Sequence, residues 1–140
     1  MRATGIIRRV DDLGRIVIPK EIRRVLRIRE NDPLEFFTDN NAICLKKYQP
    51  YETEMWEKAN KILKPLLINF AILDCYGDAV KCNGIKVKEI EEARAREDLI
   101  VKEYCQHGDR LAYLVCSKSN EESRINLAGE VLLNFLEEDE

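Results

Sequence analysis

Residues 1–29 read MRATGIIRRVDDLGRIVIPKEIRRVLRIR, and this stretch decides how the rest of the chain is interpreted. Nine of its residues are Lys or Arg and three are Asp or Glu, a local balance of +6 in a chain whose net charge is −3. The basic residues are interspersed with apolar residues at structural spacing, so they belong to a folded face. A folded, strongly cationic face on an acidic protein predicts a polyanionic partner.

Two strands, the turn between them and a helix are predicted within this stretch. Residues 3–10 place three aliphatic side chains around two arginines, a pattern typical of a short strand. Residues 11–14 have turn chemistry, with two aspartates and a glycine. Residues 16–18 are Ile-Val-Ile, which predicts a strand buried on both faces and in need of more cover than its neighbours supply. Pro19 ends that strand and suits the first turn of a helix over about 20–28.

The predicted helix separates its apolar residues from its basic residues. One side carries Ile22, Val25 and Leu26 at spacing i, i+3, i+4, and the other side carries Arg23, Arg24 and Arg27. So short a helix is marginal in water, and packing must therefore hold it.

Residues 34–48 predict a hairpin, and the chain changes character soon after it. Two alternating runs, 34–38 and 42–48, flank the turn residues 39–41. Residues 1–50 have a charge balance of +4, whereas residues 51–140 have a balance of −7. We therefore predict a domain boundary at 48–51, with a short, stiff linker.

The second half predicts a small α+β domain with flanking helices. A helical period begins at Thr53, and Pro65 is predicted to end or kink this helix. Ser119 with Glu122 forms a predicted capping box for the last helix. The predicted elements between and around them are strands 67–74 and 79–85, helix 86–96, strands 99–105 and 111–117, and helix 120–137. The last helix has a wider apolar face than one core contact needs, which predicts a partner helix on its second side.

The composition gives no sign of a membrane or secreted protein. No continuous apolar core follows the N-terminus, and the longest apolar run, near 66–73, is far shorter than a membrane span. The five cysteines have no CxxC spacing, which favours reduced thiols. We expect a cytoplasmic protein.

Residues 1–48 resemble the N-terminal domain of the AbrB/SpoVT family of bacterial transition-state and sporulation regulators. The resemblance lies in the order Thr-Gly-Ile, Arg-Arg, Asp-Leu-Gly-Arg, Ile-Pro, Arg-Arg and Leu-Lys-Lys-Tyr. It is of the SpoVT type, since Arg9, Lys20, Arg27 and Arg29-Glu30 fit that type. The resemblance implies a dimeric swapped-hairpin β-barrel in which two chains interleave their strands.

The resemblance also implies which residues bind double-stranded DNA and where the protein acts. The DNA-contacting arginines of the family correspond to Arg8, Arg15, Arg23 and Arg24, and Arg9, Lys20 and Arg27 are candidate outer contacts. The implied function is transcriptional regulation of transition-state or sporulation genes in the cytoplasm, in association with the nucleoid. Arginine suits this role because its planar fork holds phosphate or a guanine edge bidentately.

The second half resembles, more weakly, the GAF-like domain that SpoVT-type proteins carry at this position. At 90 residues it is short for such a domain. We therefore expect residues 51–140 to serve mainly in a homodimer or homotetramer, with binding of a small-molecule ligand as the lesser alternative.

The residues do not favour catalysis or a metal site. Asp11 and Asp12 are interpreted as a turn that holds neighbouring arginines, not as an acid/base pair. Cys75, Cys82, Cys105 and His107 have no familiar zinc spacing, and no nucleophile motif accompanies the single histidine. We expect no cofactor and no enzymatic activity.

An antitoxin is the alternative from another class, because related swapped-hairpin domains bind a toxin and their own operator. Antitoxins usually end in a disordered acidic tail. Here only residues 137–140 have the composition of such a tail, since an apolar-striped helix is predicted before them. The sequence therefore favours the DNA-binding regulator.

Overall fold

The computed structural model describes residues 2–137 and divides the chain into two compact units, one ending at Gln49 and one beginning at Pro50. Residues 138–140, which include most of the predicted acidic tail, lie outside the described residues. No helix within residues 2–137 has the length and apolar character needed to cross a membrane.

The N-terminal unit contains one short helix and one hairpin. Its elements are α1 (Lys20–Leu26), β1 (Leu34–Asp39) and β2 (Ala42–Lys47). The strands pair antiparallel with Asp39 opposite Ala42, and the two asparagines between them both have positive φ. Asparagine tolerates this conformation well, so the two-residue turn follows from the sequence. The predicted hairpin is confirmed.

The two strands predicted over 3–10 and 16–18 are wrong for the single chain. Between residues 2 and 19 the described backbone joins no sheet, although it contains the predicted turn at 11–14. The physical reason is that a strand needs a neighbouring strand to bond its backbone, and this chain provides none beside these residues. Pro19 is also placed differently, as the N-cap of α1 and not within its first turn.

The N-terminal unit has no core of its own. None of its described residues, 2–49, is buried, and aliphatic side chains on every segment face solvent. Ile7 is 84% exposed, Val17 is 72% exposed and Val25, on α1, is 78% exposed. Such exposure removes the main driving force for folding, because burial of apolar area is what offsets chain entropy.

The C-terminal unit is built on an antiparallel four-stranded sheet. Its elements are α2 (Thr53–Leu63), β3 (Phe70–Leu73), β4 (Ala79–Asn83), α3 (Ile90–Arg94), β5 (Leu99–Gln106), β6 (Asp109–Ser117) and α4 (Glu122–Glu137). The strand order is β4-β3-β6-β5, so the two hairpins meet at the central pair β3 and β6. This is the α+β domain that the sequence predicts. The helix predicted over 86–96 and the strand predicted over 67–74 are shorter in the structure.

Each face of the sheet has its own hydrophobic cluster. Helices α2 and α4 cover one face, where Trp56 and Leu63 pack with Phe70 and Leu132. The short helix α3 covers the other, where Ile90 packs with Tyr113. The larger cluster holds the C-terminal helix firmly, since four of its residues, Ile125, Ala128, Leu132 and Leu136, are almost fully buried.

The start of α4 differs from the predicted capping box. Ser119 Oγ lies 2.9 Å from Ser117 Oγ, and the helix begins only at Glu122. Asn120 forms the long-range hydrogen bonds before α4. Its side chain accepts a hydrogen bond from the Ile68 amide and donates one to the Ile68 carbonyl. The residue therefore joins the start of α4 to the segment before β3.

The second apolar side of α4 is largely covered by other residues of the C-terminal unit. Val131, Leu133 and Phe135 are half-buried against the cluster below α2 and α4, and Leu127 is 47% exposed. The predicted partner helix is therefore not needed to cover most of this side.

Candidate nucleic-acid interface

The basic residues of α1 lie on one side of the helix. Lys20, Arg23 and Arg24 are exposed and, with Arg27, follow the spacing i, i+3, i+4, i+7 that places side chains on one face. No residue of α1 is buried. The helix therefore presents a cationic stripe to solvent.

Arg27 ends this helix in an unusual way. It has φ 55° and ψ 44°, the left-handed conformation that favours glycine, and its N–H donates to Arg24 O while Ile28 N–H donates to Arg23 O. This closing turn is of the Schellman type. Arg27 is half-buried, in contrast to the six other predicted DNA-contacting residues, so its guanidinium is the least available of the seven.

Arg15 is held in place by the turn that precedes it. Asp11 Oδ1 accepts the N–H groups of Leu13 and Arg15, both at 2.9 Å, and Asp11 Oδ2 pairs with Arg15 Nε at 2.8 Å. These hydrogen bonds, the Arg15 N–H first, hold the pKa of the Asp11 carboxyl below its usual value. The interpretation of Asp11 as a turn residue that positions an arginine is confirmed, and Arg15 remains exposed.

Arg8 and Arg9 are exposed on the segment without a paired strand. Arg8 Nη1 donates to the carbonyl of Ile7 at 2.9 Å, which turns the guanidinium back on its own backbone. Such a local bond is easily exchanged for a phosphate, because a charge-assisted bond is stronger than one to a neutral carbonyl.

The cysteines and the histidine do not converge. Among residues 2–137 no three His, Cys, Asp or Glu side chains are placed to hold a metal ion. Cys116 is buried, and burial raises the pKa of its thiol to about 12. His107 lies in the turn between β5 and β6 with φ 52°.

One feature of the interface was not predicted from the sequence. The local sequence does not predict the left-handed conformation of Arg27, because such a helix end is usually indicated by glycine. The pairing of Asp11 with an arginine was predicted, and the i, i+4 spacing of opposite charges on either side of a glycine is the signal that identifies Arg15 as the partner.

A family model described as "Antidote-toxin recognition MazE, bacterial antitoxin" matches residues 7–53. Two curated relatives from Bacillus subtilis (strain 168) match the same region. Stage V sporulation protein T is 71% identical over 51 residues, which are 36% of this chain and 29% of that protein. Transition state regulatory protein AbrB is 57% identical over 53 residues, which are 38% of this chain and 55% of that protein.

A solved structure matches the same region. It is the RDC-refined solution structure of the N-terminal DNA recognition domain of the Bacillus subtilis transition-state regulator AbrB, 56% identical, covering 37% of this chain and 98% of that one with a TM-score of 0.31. The assignment of the N-terminal unit rests on the sequence identities. The matched stretch spans under a third of stage V sporulation protein T and about half of AbrB.

Proposed function

We propose that this chain is a DNA-binding transcriptional regulator, because its N-terminal unit is a MazE/AbrB-type domain of the AbrB/SpoVT family. The observation that carries the proposal is the cationic stripe of α1 together with the positioned Arg15, on a unit whose relatives by sequence are a sporulation protein and a transition-state regulator. Transition-state or sporulation genes are the proposed targets.

The proposed DNA face consists of Arg8, Arg15, Arg23 and Arg24, with Arg9, Lys20 and Arg27 as outer contacts. Six of these side chains are exposed, which a phosphate contact requires. Because phosphate contacts do not depend on base identity, such a face binds many sequences and discriminates through DNA shape. Arg27 contributes least, since it is half-buried.

The N-terminal unit is proposed to act as a homodimer with interleaved strands. Its lack of any buried residue among 2–49 supports this, because a second copy would supply both the missing strand partners and the missing apolar cover. The segments 3–10 and 16–18 would then pair with the partner chain and form the swapped-hairpin barrel.

The C-terminal unit is proposed to stabilise the dimer, or to join two dimers into a tetramer. Its antiparallel sheet with helices on both faces is compatible with a small GAF-like domain, and binding of a small ligand is the second role that such a domain would have. A regulator of this kind needs no cofactor and catalyses no reaction, and its place is in the cytoplasm with the nucleoid.

Fluorescence anisotropy with an AT-rich duplex across a salt series tests DNA binding. The variant Arg15→Ala plus Arg24→Ala removes two exposed cations per chain and four per dimer. Each neutralised phosphate contributes a slope of about −0.9 in log K against log salt, so the slope should flatten by about 3 to 4 units. Binding of the wild type should be sub-micromolar at low salt.

The matched control is Lys61→Ala plus Arg124→Ala, which removes the same charge from exposed positions of α2 and α4. This control should keep the wild-type slope if the interface lies on the N-terminal unit. Equal slopes for all three proteins would refute the assigned face. DNA binding itself would be refuted if the wild type, verified to be a folded dimer, bound the duplex no more tightly than an acidic control protein does.

An antitoxin function is the second candidate, and the description of the matching family model favours it. An antitoxin would expose a C-terminal segment that folds on the toxin. Here α4 is packed against the sheet through four almost fully buried residues. Limited proteolysis of the full chain distinguishes the two functions, because rapid cleavage within 122–137 in the free protein would support the antitoxin.

A further inference from the structure

A group of charged residues surrounds the buried ring of Tyr113 in the C-terminal unit. Tyr113 lies on β6, opposite Glu103 of β5 and Leu73 of β3, and is 3% exposed. The guanidinium carbon of Arg94 is 5.7 Å from the centre of its ring and that of Arg110 is 5.0 Å away. Arginines from a helix end and a strand start therefore meet at one tyrosine.

The positive charge of this group is only partly neutralised. Arg110 Nε pairs with Glu103 Oε1 at 3.2 Å, and Arg110 Nη1 donates to the carbonyl of Cys75. Arg94 forms no ion pair with any residue in the described range. Only one of the two guanidinium groups is therefore paired with a carboxylate, although residues 51–140 have a charge balance of −7.

The hydroxyl of Tyr113 is also available to a ligand. Within residues 2–137 no group hydrogen-bonds this hydroxyl, and it is not among the fully buried polar side-chain atoms that lack a partner, so its oxygen reaches solvent although the residue as a whole is almost fully buried. A tyrosine hydroxyl in this position can donate a hydrogen bond to a bound oxyanion. Burial raises the pKa of Tyr113 while Arg110 and Arg94 oppose the rise, so both charges act at the hydroxyl.

The backbone around the ring is fixed closely. Gly77, in the turn between β3 and β4, has φ 81°, and a Cβ there would lie 2.9 Å from Ile90 Cβ and 3.7 Å from Tyr113 Cε2. The Gly77 carbonyl also accepts the N–H of Ile90 at 2.8 Å. This turn and α3 therefore hold the arginines and the tyrosine in a preorganised arrangement, which lowers the entropy cost of binding.

We propose that Arg94, Arg110 and the hydroxyl of Tyr113 bind the phosphate or carboxylate group of a small anionic metabolite. The two guanidinium groups supply charge and the forked donors that match such oxyanions, and the hydroxyl supplies one further donor. This inference rests on the part of the proposed function that gives the C-terminal unit a ligand, and it does not depend on DNA binding.

The test is an NMR titration of the ¹⁵N-labelled full chain without DNA, with inorganic phosphate, succinate or sodium chloride at matched ionic strength. Phosphate or succinate should produce saturable shifts of the Arg94 and Arg110 side-chain N–H signals that chloride does not produce. Phosphate alone, or succinate alone, would identify which oxyanion the site prefers. Arg94→Gln should weaken the binding about tenfold or more, since it removes a charge-assisted pair of bonds.

The matched control is Arg96→Gln, two residues further along and already paired with Asp98 at 2.7 Å. It should bind as the wild type does. Shifts no larger than those in chloride, or equal binding by Arg94→Gln and the wild type, would overturn the proposal. Because both arginine variants change exposed or half-exposed positions, a spectrum with native dispersion verifies that the fold is retained.

Discussion

Gly129, in the middle of α4, is predicted to be required for the packing of that helix on β5. A Cβ at this position would lie 2.7 Å from Tyr104 Cζ and 2.8 Å from Tyr104 Cε1, and closer still to the Tyr104 hydroxyl. Contacts this short do not occur between real atoms, so the ring or the helix must shift in Gly129→Ala. Overpacking of this kind costs about 1–3 kcal/mol.

Alanine has a higher helix propensity than glycine, so helix propensity and steric crowding change the free energy of unfolding of Gly129→Ala in opposite directions. Replacing glycine by alanine in a helix interior gains about 0.8–1.0 kcal/mol. The two terms together predict that Gly129→Ala lowers the free energy of unfolding by up to about 2 kcal/mol. In the background Tyr104→Leu, where the three nearest atoms are absent, the same change should raise it by about 1 kcal/mol.

A double-mutant cycle with urea unfolding measures this directly. Trp56 is the only tryptophan and lies buried in the same unit, so its fluorescence follows the unfolding of that unit. The predicted coupling between positions 104 and 129 is about 1–3 kcal/mol, the size expected for residues in direct contact. An equal effect of Gly129→Ala in both backgrounds would refute the steric explanation.

Three further predictions concern the turn at 11–15, a buried amide pair and a buried thiol. Asp11→Ala should weaken DNA binding more than Asp11→Asn in the anisotropy assay, because only the asparagine keeps an acceptor for the Leu13 and Arg15 amides. Equal losses would contradict this. Asn60→Ala should lower the free energy of unfolding by about 1–2 kcal/mol in urea, because it leaves the Asn83 amide without its reciprocal bonds, whereas the exposed Asn134→Ala should change it by under about 0.5 kcal/mol. Cys116 should resist a thiol reagent at pH 8 that labels exposed Cys82, and rapid labelling of both would show that Cys116 is accessible. Since burial raises the pKa of Cys116 from 9.0 to about 12, the unfolded state loses its proton first, and the contribution of this thiol to stability should be constant below pH 9 and fall between pH 9 and 12.

The elements that the sequence predicted well are those whose signals are local. The Asn-Asn turn at 40–41 required positive φ at two positions, and asparagine permits it, so β1 and β2 followed. Pro65 similarly predicted an end or a kink in α2, and the helix ends at Leu63. In both cases one or two residues decide the backbone.

The features that the sequence did not predict depend on residues far apart in the chain. Ser119 and Glu122 satisfy the capping pattern, but α4 begins only at Glu122, and the residue before the helix that forms long-range hydrogen bonds is Asn120, with Ile68 as its partner. The group around Tyr113 likewise depends on strand register, which places Glu103 opposite Tyr113 and brings Arg110 over the ring. No spacing in the sequence indicates that Arg94, at the end of α3, joins them.

The arrangement of α1 links assembly of the proposed dimer to its proposed function. Its apolar side, with Val25 78% exposed and Leu26 54% exposed, lacks cover, while its basic stripe faces solvent. A partner chain that covers the apolar side would leave the basic stripe outside and double it by symmetry. Because phosphate contacts then come from both chains at once, DNA affinity should fall steeply when the protein is diluted below the dimer dissociation constant. Dimer formation and DNA binding would therefore be one linked equilibrium, in which DNA stabilises a fold that the single chain does not complete.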